Sequence, residues 1–276
     1  MSTLRFAKME GAGNDFVVLD LAGDAFEPDV VQARRICDRH FGIGCDQILL
    51  IEAAQSPDAA FGYRILNADG SIAGQCGNGA RCVALYLRER HGLADGALLD
   101  SPGGPVQVRF IGADRVELAL GKPRFEPAQI PFDAAQSAAV YPIDVAGEAL
   151  EIAAMSMGNP HAVVLVEDCA KAPVARLGPA LETHPRFPDR CNVGFAQVLE
   201  PGHIRLRVFE RGVGETLACG SGACAAVVAL RRRGLLAASV AVDLPGGRLE
   251  VRWRGPGDPV YLIGPARFVF EGEYLT

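Results

Sequence analysis

The chain has 276 residues, 49% apolar and 22% charged, the composition of an ordinary globular protein of one or two domains. Its 27 Lys and Arg against 33 Asp and Glu leave a net charge of −6, and the longest basic run is Arg231-Arg232-Arg233, which argues against nucleic acid as a partner. No apolar run reaches bilayer length and Met1 to Arg5 lacks a signal-peptide pattern, so a cytoplasmic protein with no membrane partner is expected.

In chain order, Phe6-Ala7-Lys8-Met9-Glu10-Gly11-Ala12-Gly13-Asn14-Asp15-Phe16 is a glycine turn running into a strand over 16–19. Asn14 sits where its side chain either reaches a ligand or closes an Asx-turn. An amphipathic helix is predicted over 29–40 and a strand over 47–51. Cys76-Gly77-Asn78-Gly79-Ala80 then leads into a helix over 79–91 that is apolar round most of its circumference, the mark of a buried helix. Strands follow over 106–110 and 116–120. The Ala- and Pro-rich stretch 125–149 matches no motif and reads as a linker.

The second half repeats the pattern. Met157-Gly158-Asn159-Pro160-His161 echoes the turn around Asn14, an amphipathic helix covers 174–183, and Cys219-Gly220-Ser221-Gly222-Ala223 opens an apolar helix over 222–233. The two Cys phrases stand 143 residues apart, 76 against 219. Asp100 to Arg109 matches Asp243 to Arg252 at six of ten positions in the same register. The expected fold class is therefore α+β: two homologous domains, each a curved, mainly antiparallel sheet wrapped around a central buried helix, with the helix N-termini pointing toward the cleft between them. The domains are expected over 1–121 and 122–263.

Each repeated thiol would sit at a helix N-terminus, where unpaired N–H groups favour a thiolate and cradle a carboxylate. Two such thiols, one a base and the other an acid, suit removal and return of a proton on a carbon beside a carboxylate. The N–H groups of Gly77, Asn78, Gly220 and Ser221 would meet the charge developing on that carboxylate. Such chemistry inverts a stereocentre with no cofactor. Sulfurs sharing one carbon would also lie close enough to form a disulfide, so activity is expected to need reductant.

Cys37, Cys45, Cys82, Cys169, Cys191 and Cys224 lack the glycine turn or lie inside helices and read as structural. With no CxxC and no HExxH, no metal site is expected. His161, beside Asn159, reads equally as a buried histidine or a participant. Glu210-Arg211 reads as a surface ion pair, or as an arginine fork on a second carboxylate of an amino-acid substrate.

The runs FAKMEGAGNDF, CGNGARC, MGNPHAV and ERGVGETLACGSGACA, in this order over nearly the whole chain, resemble the diaminopimelate epimerase family, amino-acid epimerases independent of pyridoxal phosphate. The resemblance implies interconversion of LL- and meso-2,6-diaminopimelate in lysine and peptidoglycan precursor synthesis. It makes Cys76 and Cys219 the catalytic pair and Gly77, Asn78, Gly220 and Ser221 the carboxylate cradle. Asn14, Gln47, Asn67, Asn159, Asn192, Glu210 and Arg211 become the other substrate contacts, and His161 and Glu210 influence the thiol pKa values. It also implies a homodimer, closure of the domains on substrate, and a last strand over 267–270 returning within 264–276 to the first domain.

Three rivals are separable. A proline or hydroxyproline racemase would use paired cysteines but need no arginine for a distal carboxylate. A redox sensor or Cys-dependent hydrolase gives no reason for the duplication. A non-catalytic binding module of this fold would tolerate loss of Cys76.

Overall fold

Among the described residues, short strands joined by turn residues make up most of the regular structure, and four α-helices interrupt them. The computed structural model describes residues 3–21 and 27–275, so Met1, Ser2 and the end of the expected return segment at Thr276 lie outside the described residues. Two compact units result, Met1–Ala119 with Ile263–Thr276, and Leu120–Leu262.

In the first unit, β1 (Thr3–Gly11) and β2 (Asn14–Asp20) form a hairpin. Its two turn residues, Ala12 (φ 55°) and Gly13 (φ 81°), are both left-handed, the backbone that matches strand twist in a two-residue turn. Helix α1 (Val30–Cys37) starts on Asp29, whose carboxylate accepts from Gln32 N while the Gln32 side chain returns the bond. It stops three residues before the predicted end, because Asp38 turns extended and caps the His40 and Phe41 N–H groups instead. Strands β3 (Gln47–Glu52) and β4 (Phe61–Asn67) follow, then helix α2 (Gly77–His91), β5 (Leu98–Ser101), β6 (Gly104–Phe110) and β7 (Arg115–Ala119).

In the second unit, the reading of 125–149 as a linker is corrected. Tyr141–Val145 is a strand, β8, antiparallel to β9 (Glu148–Ser156), and Ile130, Phe132, Tyr141, Ile143 and Val145 belong to the core. Its alternation is only five residues long and carries Pro142, too little to show against the surrounding Ala and Pro. The unit continues with β10 (Pro160–Leu165), helix α3 (Val174–Glu182), β11 (Asn192–Glu200), β12 (His203–Glu210), β13 (Gly214–Thr216), helix α4 (Gly220–Arg232), β14 (Ser239–Leu244) and β15 (Gly247–Arg252). Strand β16 (Tyr261–Pro265) leads to β17 (Arg267–Leu275), which pairs antiparallel with β1 in the first unit.

Both units follow one pairing sequence. β1–β2 and β9–β10 are antiparallel, β2–β3 and β10–β11 parallel, β3–β4 and β11–β12 antiparallel, β4–β5 and β12–β14 parallel, β5–β6 and β14–β15 antiparallel. Each parallel step is bridged by a helix, as a crossover requires. Helix α2 touches β1, β2, β3 and β7, and α4 touches β9 through β12 and β15. A helix that reaches strands at opposite ends of the pairing order is one the sheet bends around. The α+β class with few helices and dominant sheet is as expected, and no helix among the described residues is long and apolar enough to cross a membrane.

Candidate active site

Cys76 and Cys219 occupy the same local structure. Each is the N-cap of its helix, with extended backbone (φ −124°, ψ 110° and φ −117°, ψ 112°), and each sulfur accepts from the N–H three residues on, Gly79 N or Gly222 N, at 3.4 Å. The cysteine thus takes the place of the usual Ser or Asp cap. Both helices start two residues earlier than predicted, so Gly77 and Asn78, and Gly220 and Ser221, lie in the first turn ahead of the first intrahelical bonds, Ala80 N to Cys76 O and Ala223 N to Cys219 O. A Cβ on Gly79 would come within 2.9 Å of Leu49 Cδ2, and one on Gly222 within 3.1 Å of Val208 Cγ2 and 3.2 Å of the Cys219 sulfur. Close packing under the thiol explains both glycines.

In the first unit the hairpin delivers Asn14 to Cys76. Its Oδ1 faces the Cys76 Sγ at 3.7 Å and the Asn78 Nδ2 at 3.4 Å, while its Nδ2 donates to Asp46 Oδ2 at 2.8 Å. Asn78, 2% exposed, accepts from Arg81 Nη2 at 2.8 Å. Behind Asn14 the Asp15 and Asp46 carboxylates exchange bonds with each other's backbone N–H, at 3.0 and 3.1 Å, and Arg39 bridges both acids. Burial works to raise the Asp15 carboxyl, but Arg39 and Lys8, the latter 2.6 Å away, overcome it and hold the group well below the ordinary carboxylate range. Gln47 and Asn67 are direct cross-strand partners of β3 and β4. Gln47 Nε2 donates to Asn67 Oδ1 at 2.9 Å and Asn67 Nδ2 to Ser71 Oγ at 3.0 Å.

In the second unit Cys219 is buried, with Ser221 Oγ 3.6 Å from its sulfur. The expectation of a thiol eased toward its thiolate is corrected here. Burial first, then the Glu210 charge, push the Cys219 thiol well above its ordinary value, and Ser221 and the Gly222 N–H only partly offset them. Glu210 is itself raised by burial, with hydrogen bonds from Thr216 and Cys219 pulling it back. The Glu210 charge therefore opposes a thiolate at Cys219. His161, fully buried, is held neutral, its pKa pushed down to about 3 by burial and then by Arg211, and its Nε2 donates to Asn159 Oδ1 at 2.9 Å. It brings no charge to the thiol. Asn192, across the parallel β10–β11 register from His161, bonds backbone on both sides: its Nδ2 donates to Pro160 O at 3.3 Å and its Oδ1 accepts from Arg211 N at 3.0 Å. The exposed Arg211 side chain donates to Asp189 O at 3.0 Å, and Gly212 N donates to the buried Glu182 at 2.7 Å.

The sequence reading missed Asp46, Arg81, Thr216 and Glu182. Arg81 had a signal, being the one charge in the apolar first half of α2. Thr216 could be found from the Gly212-Val213-Gly214 turn that folds β13 back on β12. Asp46 and Glu182 carry none.

The family model described as diaminopimelate epimerase matches the chain over residues 6–126 and 153–269. A diaminopimelate epimerase of Xanthomonas euvesicatoria pv. vesicatoria is 55% identical over 274 residues, covering 98% of this chain and 96% of the relative. The fold is similar to that of a Bacillus anthracis phenazine biosynthesis protein of the PhzF family (TM-score 0.72, 17% identity, 100% of both chains). It is also similar to a hydroxyproline epimerase from Agrobacterium vitis (TM-score 0.70, 16% identity, 98% of this chain and 92% of the other).

Proposed function

Since this chain belongs to the diaminopimelate epimerase family, we propose that it interconverts LL- and meso-2,6-diaminopimelate, with Cys76 and Cys219 as alternating base and acid. The observation that carries the reading is the recurrence, in two units, of a thiol as N-cap of a buried helix over a glycine at the third helical position. One such thiol packs; two with the same first-turn donors suit a carboxylate and its α-carbon. One thiol takes the α-proton, Gly77, Asn78, Gly220 and Ser221 stabilise the enolate-like carboxylate, and the other thiol returns a proton on the opposite face. Glu210 serves as the acceptor through which Cys219 becomes thiolate, because a carboxylate raised by burial is a competent base for a neighbouring thiol.

Arg211 grips the distal carboxylate by its fork, and Asn14, Gln47, Asn67, Asn159 and Asn192 order the remaining polar groups or the loops that carry them. His161, neutral and bonded to Asn159, influences the thiol pKa without bringing a charge. No cofactor takes part. The reaction belongs to lysine and peptidoglycan precursor synthesis in the cytoplasm. The protein works as a homodimer, a reading supported by Val269, Phe270 and Leu275 standing exposed along β17.

Proton NMR of LL-diaminopimelate in D₂O with the reduced protein tests this, with L-proline as parallel substrate. Loss of the α-proton signal with growth of the meso isomer, for diaminopimelate alone, is expected. Cys76→Ser and Cys219→Ser should each slow conversion at least about 100-fold, the scale of one lost acid or base. Exchange of proline alone would make the protein a racemase instead.

A further inference from the structure

Four side chains of the first unit form a hydrogen-bonded chain with one direction. Arg81 Nη2 donates to Asn78 Oδ1 at 2.8 Å, Asn78 Nδ2 to Asn14 Oδ1 at 3.4 Å, and Asn14 Nδ2 to Asp46 Oδ2 at 2.8 Å. A guanidinium only donates and a carboxylate only accepts, so the ends of this chain leave each amide a single orientation. Either amide alone could turn over with little change in shape. Between these ends neither can turn without setting like against like.

The ends are themselves fixed. Arg81 is fully buried and also donates to Pro265 O at 3.1 Å and Gly77 O at 3.3 Å. Asp46 accepts from Asp15 N at 3.1 Å and pairs with Arg39 at 2.8 Å. The consequence falls on Cys76, whose sulfur lies 3.7 Å from the Asn14 oxygen.

We propose that Asp46 and Arg81 are positioning residues that hold the Asn14 carbonyl, rather than its amide N–H₂, toward Cys76. The carbonyl accepts from the Cys76 S–H and opposes a thiolate there, so the chain sets how readily this thiol gives up its proton. Cys219 faces Glu210 instead. The two thiols thus differ in what faces them: a fixed amide dipole at one, an ionisable acid at the other. The proposal rests on the epimerase reading only for its consequence in turnover, and the orientation itself is testable without substrate.

The test uses Asp46→Asn and Arg39→Gln in the full-length, reduced protein. An amide at position 46 can accept or donate, so it releases Asn14 to turn and present N–H₂ to the sulfur. Arg39→Gln loosens the same acidic pair but keeps the carboxylate at Asp46. Cys76 is half-buried whereas the other seven cysteines are buried, so its alkylation by iodoacetamide at pH 7 is followed by the mass of its own peptide. Asp46→Asn is expected to speed it roughly 5-fold, one ordinary hydrogen bond's weight, and to lower kcat more than it raises KM. Arg39→Gln should leave the alkylation rate within 2-fold of wild type. Alkylation of Asp46→Asn within 2-fold of wild type, or equal acceleration by Arg39→Gln, would overturn the proposal. A wild type unable to epimerise diaminopimelate, with Asp46→Asn still alkylated faster, would defeat the epimerase reading and leave the oriented amides standing.

Discussion

Thr216→Val removes the hydroxyl that donates to Glu210 and keeps the β-branched shape that suits β13. Glu210 is raised by burial, and the Thr216 bond is the first force that pulls it back. Without that bond the half-buried ionised carboxylate loses its Thr216 donor. A hydrogen bond to a charged group is worth about 1.5–3 kcal/mol, one to a neutral group about 0.5–1.5. The variant should therefore cost about 1.5–3 kcal/mol once pH has risen above the folded-state value of Glu210, and less below it.

The sign with pH is fixed by the direction of the shift. A carboxyl raised in the folded state binds its proton more tightly there than when unfolded, so the stability it contributes is fullest at low pH and is lost as pH rises through the folded value. Thr216→Val raises that value further, and its cost grows over the same rise. Thermal unfolding at pH 4 and pH 8 checks this. At about 2–4 °C per kcal/mol the gap should be roughly 3–12 °C at pH 8 and about half that at pH 4. The acid limb of kcat should move to higher pH, since Glu210 must lose its proton to serve Cys219. A cost flat across pH, with an unmoved acid limb, would refute the claim that the Thr216 hydroxyl supports an ionised Glu210 beside the thiol.

Three further outcomes are expected. Gly222→Ala puts a methyl 3.2 Å from the Cys219 sulfur, so it should cost about 1–3 kcal/mol in urea unfolding and lower kcat by roughly 10- to 100-fold through displacement of the thiol. Arg211→Lys keeps the charge but loses the fork, and KM for diaminopimelate should rise about 10-fold or more with a smaller change in kcat. Asp15→Asn leaves Lys8, with 9% of its side chain exposed, beside a neutral amide and should cost about 3–5 kcal/mol at pH 7. Because Asp15 is depressed in the folded state, the stability it gives is present above its unfolded value near 3.9 and lost as pH falls through the folded one. The gap to wild type in urea should accordingly narrow by about 1 kcal/mol between pH 7 and pH 3.

The thiols, their helices and the doubled architecture were legible because each is written locally. A glycine turn entering an apolar run marks a helix start, and the same phrase 143 residues on marks a second unit. What was not legible depends on distant partners. Arg81 reads as a stray charge until Pro265 O, 184 residues away, is seen to accept from it. The helix terminus at Cys219 promises an easier thiolate, and only packing shows that burial and Glu210 win. Tyr141–Val145 is too short and too interrupted to announce a strand, and its place is set by β9 beside it. Asn192 also bonds Pro160 O and Arg211 N, partners that no spacing predicts.

The pairing of β17 with β1 imposes an order of birth. On the ribosome β1 emerges early, yet its partner strand comes only after the whole stretch Leu120–Leu262 has been made. The intervening unit is continuous and can complete its own core while the earlier one waits with an open edge. Until residues 267–275 arrive, the nascent molecule exposes unpaired N–H and C=O groups along β1, a template for any passing strand. Clipping those last residues from the finished chain would return it to that sticky infancy, with every residue of both thiol sites still present.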